Sequence, residues 1–357
     1  MPTVSLIIPT LNEAANLPEL VGRITAALPN AEILVVDDGS TDDTARVAAD
    51  LPVRLIVRDD PSDGLSGAVL RGISEASGDV VCVMDADLQH PPEVLPAIVG
   101  PIVADEADFV IGSRYVSGGT VGEKWGMARR LNSKLATVLA LPFSGGVHDP
   151  MSGFFALRKS AVDEARFLSP LGYKVGLELL CKTNPRRIRE VPIHFDIRKH
   201  GTSKLTIAEQ FRYLEHLSRL YDFTYPRLAP ILKFAVVVAL AWLFGAAAFA
   251  LTHTVALAYP VAIAVAALFH FRYVRAQRPF LKRKRPWVDF LLSAAAEWAW
   301  AVAASLYIGT RHAAPPWETF GISFTVATVV RYVLRKELML DVRGLRFEPR
   351  AAEVGRD

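Results

Sequence analysis

The chain has 357 residues, of which 51% are hydrophobic and 22% are charged, and its formal net charge is +3. This length suits two domains better than one. So small a net charge gives no support to a nucleic-acid partner. The chain has only two cysteines, Cys82 and Cys181, which are too few for a framework of disulfide bonds. We therefore predict that both are buried thiols in a reducing compartment.

A break in composition near Tyr225 divides the chain. Before it, Gly, Pro and charged residues punctuate the sequence as they do in soluble α/β proteins. After it come apolar stretches long enough to cross a bilayer. The N-terminus enters a predicted strand at once, without the basic-then-apolar order of a signal peptide, so we expect the first part of the chain to stay in the cytoplasm.

Short β-rich runs alternate with helix-like segments before the break, which is the pattern of parallel βαβ units. The predicted strands are 4–8, 32–36, 53–58, 80–84, 109–111, 153–157 and 188–194, and the predicted helices are 13–28, 42–51, 65–76, 127–141 and 175–181. Polar residues follow three of these strands, at 10–13, 37–40 and 85–87. Ligands bind outside the carboxyl ends of the strands in such sheets, so the three segments should converge on one site.

The most specific chemical signal is Asp85-Ala86-Asp87, directly after the apolar strand 80–84. Carboxylates two residues apart can bind a nucleotide and a hard cation that bridges to its diphosphate. An isolated Asp-x-Asp is more often a solvated turn. In this chain the Asp85-Ala86-Asp87 motif follows a predicted buried strand and has two other acidic turns at equivalent positions, which favours a binding site for a nucleotide and a cation.

An amphipathic stretch precedes the membrane segments and fits a core-facing helix or an interfacial helix equally well. Spanning helices are predicted at 230–251, 255–273, 288–308 and 320–334. The loop between the second and third carries seven basic residues, and such loops mark the cytoplasmic face, so both termini should lie there. Glu297 lies within the third span, where an ionisable group is costly unless it faces protein or water.

Six segments resemble, in order, the motifs of family 2 glycosyltransferases, and within that family they look closest to dolichyl-phosphate mannose synthases. They are Pro9-Thr10-Leu11-Asn12-Glu13, Val35-Val36-Asp37-Asp38-Gly39-Ser40, Asp85-Ala86-Asp87-Leu88-Gln89-His90, Gly112-Ser113-Arg114-Tyr115, Asp149-Pro150-Met151-Ser152-Gly153-Phe154 and Arg198-Lys199-His200-Gly201-Thr202-Ser203-Lys204. The C-terminal part resembles, more weakly, a GtrA-like domain. The resemblance implies a GT-A (Rossmann-like) catalytic domain over 1–205, juxtamembrane helices over 206–228, an all-α four-helix transmembrane domain over 229–335 and a cytoplasmic tail over 336–357.

The resemblance also implies roles for individual residues. The nucleotide base and ribose would be held by Pro9, Leu11, Glu13, Val36 and Asp38, and the nucleotide and sugar would be lined by Asp85 and Ala86. Asp87 and Gln89 would ligate Mg²⁺ or Mn²⁺, while the lipid phosphate would be held by Arg114, Arg129 and Ser133. A mobile loop would bring Arg198 and Lys204 over the diphosphate, and Lys174 would approach the sugar or phosphate. The catalytic set is Asp85, Asp87, Arg114, Arg198 and Lys204.

The implied reaction is metal-dependent transfer of mannose from GDP-mannose to dolichyl or polyprenyl phosphate. Such a phosphate is largely ionised near neutral pH, so its oxygen needs no general base. Catalysis then depends on positioning and on charge, for which the arginine fork suits phosphate oxygens. In-line attack predicts inversion and a β-linked polyprenyl phosphate mannose.

Several alternatives stay open on the sequence alone. The family usually has Tyr where this chain has Leu11, which leaves room for UDP-glucose and undecaprenyl phosphate as substrates. A non-catalytic nucleotide-sugar-binding scaffold or lipid flippase is opposed by the intact motifs, and a processive synthase by the lack of a Gln-x-x-Arg-Trp motif. Lys174 and Glu178 have the spacing of a helix-surface ion pair, which is the alternative to a role of Lys174 at the sugar or phosphate. Asp149 is expected to act near the acceptor or the metal site, although it could merely cap a turn. The membrane helices could anchor the enzyme, orient the lipid or join copies of the chain.

Overall fold

A computed structural model describes residues 2–61, 63–122, 127–165, 168, 171–196, 207–226, 228–269, 286–311 and 315–339. The chain forms two compact units, Met1–Leu220 and Tyr221–Asp357. The division falls inside the stretch 206–228 that the sequence analysis placed between the two domains.

The N-terminal unit combines nine strands and eight helices over its described residues. The strands are β1 (Val4–Thr10), β2 (Glu32–Asp37), β3 (Arg54–Val57), β4 (Val80–Val83), β5 (Phe109–Ser113), β6 (Thr120–Val121), β7 (Phe155–Arg158), β8 (Ile188–Pro192) and β9 (His194–Phe195). The helices are α1 (Leu17–Ala27), α2 (Thr44–Ala49), α3 (Gly64–Glu75), α4 (Leu95–Val103), α5 (Met127–Ala140), α6 (Lys159–Glu164), α7 (Val175–Thr183) and α8 (Ile207–Thr224), whose last turn enters the second unit.

Seven strands form one mixed sheet in the order β3-β2-β1-β4-β7-β5-β8, and β6 pairs with β9 in a small second sheet. The pairs β1 with β2, β2 with β3 and β1 with β4 are parallel, whereas β7 runs antiparallel between β4 and β5. Helices cover both faces of the large sheet, so β4 is buried throughout and is apolar at every position, as parallel strands of this kind are. The predicted Rossmann-like α/β fold is confirmed.

Helices α4 and α6 and strand β6 are not among the elements predicted from the sequence. In α4, Pro96, Gly100 and Pro101 lower the intrinsic helix propensity. Its residues at helical spacing, among them Leu95 and Ile102, pack into the core beside the sheet, and that burial outweighs the poor propensity. The predicted strand 188–194 is two strands, because the chain leaves the large sheet after β8 and pairs with β6.

The amphipathic helix α8 presents apolar side chains on two faces. Tyr213, Leu217 and Leu220 are buried, and Tyr213 Oη donates to the Ala136 carbonyl of the N-terminal unit at 2.7 Å, whereas Phe211 and Leu214 are about half exposed. The helix therefore has a buried apolar face, as the core-facing alternative requires, and a second apolar surface that is exposed.

The C-terminal unit contains α9 (Ala229–Thr252), α10 (Val255–Phe269), α11 (Pro286–Arg311) and α12 (Pro316–Met339). Two segments in the described part of the chain are long and apolar enough to cross a membrane, Ile231–Thr252 and Phe290–Thr310. Helix α10 is shorter, with 15 residues, and the 24-residue α12 does not meet the same criterion of apolarity. Four helices are therefore present where four spans were predicted, and two of them have the composition of a span.

Aromatic rings pack the interior of the C-terminal unit. Phe249 and Phe320 stack with centroids 4.7 Å apart, and Tyr259 meets Phe324 edge-on at 5.6 Å. Glu297 is fully buried on α11. This placement satisfies the expectation that an ionisable group within a span faces protein.

Candidate active site

Three polar segments meet at one edge of the large sheet. Strands β1, β2 and β4 are parallel neighbours, so their carboxyl ends lie side by side, and Thr10 at the end of β1 pairs with Asp37 at the end of β2. The sequence segments 10–13, 37–40 and 85–90 therefore leave the sheet at the same edge. The convergence predicted from the sequence is present.

The first two segments form one hydrogen-bonded unit. Thr10 Oγ1 donates to Asp37 Oδ1 at 3.1 Å, and the Asn12 N–H donates to Ser40 Oγ at 2.8 Å. Asn12 has a φ of 56°, a left-handed conformation that Asn tolerates better than most residues, and its Oδ1 accepts the Thr41 N–H at 2.8 Å. These contacts fix the loop that was predicted to hold the nucleotide.

Asp38 is clamped by an arginine that the sequence analysis did not single out. Arg58 Nη1 donates to Asp38 Oδ1 and also to the Gly64 carbonyl at 3.0 Å. Burial raises the pKa of Asp38, and the charge of Arg58 acts in the opposite direction. Arg58 follows β3 by one residue, at the same sheet edge, and this position after a strand is the signal that could have identified it.

The Asp-Ala-Asp turn is held by its own motif. The Asp85 N–H donates to Nδ1 of His90 at 3.3 Å, and the Gln89 N–H donates to Asp87 Oδ1 at 3.1 Å. Burial lowers the pKa of His90 to about 4, so its ring is neutral at pH 7 and accepts this bond. His90 therefore shapes the turn, and it is not a candidate for a general base.

The predicted metal ligands offer the atoms that a hard cation prefers. Gln89 Nε2 donates to the Asp196 carbonyl at 2.8 Å, so Oε1 is the end of this amide that can ligate. Asp87 supplies a buried carboxylate beside it in sequence. No three His, Cys, Asp or Glu side chains form a metal-binding group among the residues that the structure describes. These residues fit Mg²⁺ or Mn²⁺ that takes further oxygen ligands from a diphosphate and water.

A second charged group lies beyond β5. Arg114 donates from Nε and Nη2 to the two oxygens of Asp149, at 2.7 Å each, and both side chains are buried. Burial by itself would lower the pKa of Arg114, but the hydrogen bonds and charge of Asp149 outweigh it and the net shift is upward. Arg114 therefore stays cationic, and Asp149 does more than cap a turn.

Lys174 lies in the same charged group and makes no ion pair with Glu178. Its Nζ donates to the Met151 carbonyl at 2.8 Å, whereas Glu178 pairs with Lys182 at 2.5 Å. Burial lowers the pKa of Lys174 to about 8, and the charge of Arg114 acts in the same direction. The helix-surface alternative for Lys174 is therefore wrong.

Four of the predicted site residues have no described side chain. Arg129 and Ser133 are on α5, but their side chains lie outside the description, and Arg198 and Lys204 lie wholly outside the described residues. Their assignments stay predictions from the motif resemblance.

Gly153 lies against the carboxylate of Asp85. A Cβ at position 153 would lie 3.0 and 3.2 Å from the two carboxylate oxygens of Asp85, tighter than nine in ten real Cβ contacts, so the carboxylate would have to shift by a few tenths of an ångström. We expect Gly153→Ala to displace this carboxylate and to lower kcat about tenfold, since small misplacements of a reacting group are costly. Steady-state kinetics and the melting temperature of the full chain would be measured together.

The matched control for this substitution is Gly22→Ala on α1, where an added Cβ meets no atom within 4 Å. It should leave kcat unchanged and stabilise the helix slightly. Full activity in Gly153→Ala would show that the position of Asp85 does not matter for catalysis.

Comparisons with known proteins agree with this geometry. Residues 5–166 match the family described as Glycosyl transferase family 2. The chain is 48% identical to the dolichol-phosphate mannosyltransferase of Pyrococcus furiosus over 243 residues, 66% of this chain and 68% of that protein. It is 38% identical to the dolichol-phosphate mannosyltransferase of Mycosarcoma maydis over 67% of this chain and 86% of that protein. It is also 38% identical to the polyprenol monophosphomannose synthase of Mycolicibacterium smegmatis over 56% of this chain and 80% of that protein.

Proposed function

This chain belongs to glycosyl transferase family 2 and is a glycosyltransferase, and from that premise we propose that it transfers mannose from GDP-mannose to dolichyl or another polyprenyl phosphate. The products would be polyprenyl phosphate β-D-mannose and GDP. The relatives support the sugar and the lipid, since two are named dolichol-phosphate mannosyltransferases and the third is named a polyprenol monophosphomannose synthase.

The observation that carries this proposal is the pairing of anionic and cationic groups at one site. Asp85 and Asp87 follow β4, while Arg114 and Lys174 lie within electrostatic reach of Asp85. Carboxylates suit a cation on a donor diphosphate, and a fixed guanidinium suits an acceptor phosphate. A site with both can bring two phosphate-bearing substrates together despite their mutual repulsion.

The chemistry at this site needs no proton abstraction. The acceptor phosphate oxygen is already anionic at neutral pH and attacks the anomeric carbon directly. His90, the histidine of the motif, is buried, and its Nδ1 already accepts the Asp85 N–H, so this ring nitrogen is not available as a general base. A divalent cation, Mg²⁺ or Mn²⁺, would neutralise the charge that develops on the leaving diphosphate.

We assign the remaining predicted residues to the same reaction. The loop containing Leu11 and Glu13, together with Val36 and Asp38, would hold the nucleotide, as the hydrogen-bonded unit at the sheet edge allows. Asp87 and Gln89 would hold the metal. Arg114 would bind the acceptor phosphate with Arg129 and Ser133, and Arg198 and Lys204 would close over the diphosphate.

The membrane is the proposed location of the acceptor. Two segments of the C-terminal unit have the length and apolarity of a span, and the sequence 270–285, which lies outside the described residues, holds the basic cluster. We infer an integral membrane protein with its catalytic unit on the cytoplasmic face, where basic loops are retained. Association of copies through the membrane helices is part of this proposal.

The test is transfer of labelled mannose from GDP-mannose, and of glucose from UDP-glucose, to a polyprenyl phosphate in detergent. Each reaction is run with Mg²⁺ or Mn²⁺ and with an EDTA control. Mannolipid that depends on the metal is the expected result. Glucolipid alone would move the donor to UDP-glucose, which Leu11 leaves open, and no product from any nucleotide sugar would favour a binding scaffold.

The charge of Lys174 gives this activity an expected pH dependence. Its pKa is lowered to about 8, so the cation is present below that pH and is lost as the pH rises through it. We expect kcat/KM, which reports the free enzyme, to fall above about pH 8. In Lys174→Arg the side chain stays charged, so this decline should disappear. An identical alkaline decline in both proteins would exclude Lys174 as its source.

A further inference from the structure

Arg114 is fixed on several sides by described residues. Asp149 accepts the Arg114 Nε–H at Oδ2 and an Nη2–H at Oδ1, and Oδ2 also accepts the Arg114 backbone N–H at 3.0 Å. The guanidinium carbon lies 5.2 Å from the ring centroids of both Tyr115 and Phe195. The position and plane of this guanidinium are therefore set before any substrate binds.

A second carboxylate holds Asp149 in turn. Glu190 Oε1 accepts the Asp149 N–H at 3.1 Å, and Glu190 Oε2 accepts the N–H and the ring Nδ1 of His148 at 2.9 and 2.8 Å. Glu190 is on β8, which pairs in parallel with β5, the strand that leads to Arg114. The chain Glu190, Asp149, Arg114 thus connects two neighbouring strands across the loop that contains Asp149.

Two different residues bind the phosphate and fix the direction of the binding group. Arg114 can bind an anionic phosphate, whereas Asp149 can only orient Arg114. An acceptor phosphate is anionic, so the Asp149 carboxylate would repel it and is unsuited to bind it directly. The same carboxylate balances the charge of Arg114 beside Lys174, a second cation in the group. The Asp149 carboxylate can therefore hold the Arg114 guanidinium in a fixed direction, although Arg114 and Lys174 repel each other.

We propose that Asp149, supported by Glu190, is a positioning residue that aims the Arg114 guanidinium at the acceptor phosphate. The proposal rests on the function proposed above, in which Arg114 binds that phosphate. It predicts a selective defect: loss of the Asp149 charge should impair acceptor binding and leave nucleotide binding intact.

The experiment compares Asp149→Asn with the unsubstituted full-length protein in detergent. Binding of farnesyl phosphate and of GDP is measured separately at equilibrium, and the KM values for acceptor and donor are measured in the transfer assay. The asparagine side chain has one oxygen where Asp149 has two. It can accept the Arg114 Nε–H but can no longer accept the Nη2–H, so that end of the guanidinium is released. We expect acceptor binding to weaken about tenfold and GDP binding to change less than about twofold.

Two further variants keep the proposal falsifiable if Asp149→Asn folds poorly. Glu190→Gln should produce a smaller shift in the same direction, about threefold, because it weakens the support and leaves the Asp149 carboxylate in place. In an Arg114→Lys background, Asp149→Asn should add little further loss of acceptor affinity, since residues that act through one another are not additive.

Asp108→Asn is the matched control. Asp108 also bonds an arginine side chain and two backbone N–H groups, those of Arg186 and Arg187, but it lies at the other end of the β5–β8 pair. This variant should leave both affinities unchanged. Equal weakening of acceptor and donor by Asp149→Asn, or no weakening, would overturn the positioning role. Failure of the unsubstituted protein to bind any polyprenyl phosphate would instead overturn the proposed function on which it rests.

Discussion

Asp87→Ala is expected to abolish measurable transfer, with a fall in kcat of about a thousandfold, the upper end of what removal of one preorganised electrostatic group costs. Asp87 is buried four residues after the end of β4, and its carboxylate fixes the turn by accepting the Gln89 N–H. The alanine variant loses both this contact and the proposed ligand of the divalent cation. Asp87→Asn keeps an oxygen for the Gln89 N–H and removes only the charge, so it separates the two effects.

The measurement has a binding arm as well as an activity arm. Mn²⁺ binding in the presence of GDP is followed by titration, and insertion is checked by detergent extraction and gel filtration of the full chain. Asp79→Asn is the control, since Asp79 precedes the same strand at its other end and accepts the Thr3 N–H at 2.9 Å. Normal transfer by Asp87→Ala, or unchanged Mn²⁺ binding, would reject the metal assignment.

Glu178→Ala is expected to have the largest effect on stability. Glu178 pairs with Lys182 at 2.5 Å and lies 3.5 Å from His216 Nε2, and all three side chains are at most 4% exposed. Breaking a buried ion pair by removing one partner typically costs about 3–5 kcal/mol. For a chain of this size we expect the melting temperature to fall by roughly 10 °C.

Replacing both charges of the Glu178–Lys182 pair should lower stability much less than removing the Glu178 charge alone. Glu178→Leu combined with Lys182→Met substitutes apolar groups of similar volume for the pair, and such swaps are often neutral. Asp163→Asn, which breaks an exposed pair of the same spacing with Lys159, should change stability by less than about 1 kcal/mol. A small effect of Glu178→Ala would mean that the trio does not hold α7 against α8.

The pKa of Glu178 also gives an expected dependence of stability on pH in the acidic range. Burial by itself would raise the pKa of Glu178, but His216 and Lys182 outweigh it and the value is lowered to about 2 from an ordinary 4.5. A lowered pKa means that this stability is fully present above the ordinary value and is lost as the pH falls from about 4.5 towards 2. The melting temperature of the unsubstituted protein should therefore fall more steeply over that window than that of Glu178→Gln.

Local sequence determined most of the secondary structure and part of the site. Strand β4 could be predicted because burial on both faces requires a short run without polar residues. The Asp-Ala-Asp turn follows from that strand, since the carboxyl end of a buried parallel strand is where a ligand can reach polar side chains. The apolar character of α9 and α11 is likewise a property of each segment by itself. These features depend on neighbours in sequence and on no distant contact.

The tertiary structure alone decided which charged groups meet. Arg58 reaches Asp38 across 20 residues, Asp149 reaches Arg114 across 35, and Glu190 reaches Asp149 across 41. Spacing in the sequence gives no information about such pairs, because the strand order places β7 and β8 on either side of β5. Lys174 shows the consequence: helical spacing allowed Glu178 as an alternative partner, but the buried Lys174 ammonium donates to the Met151 carbonyl. The sequence determined the elements and the types of side chain at the sheet edge, and only long-range packing determined their charge partners, because those are set by strand order and not by position along the chain.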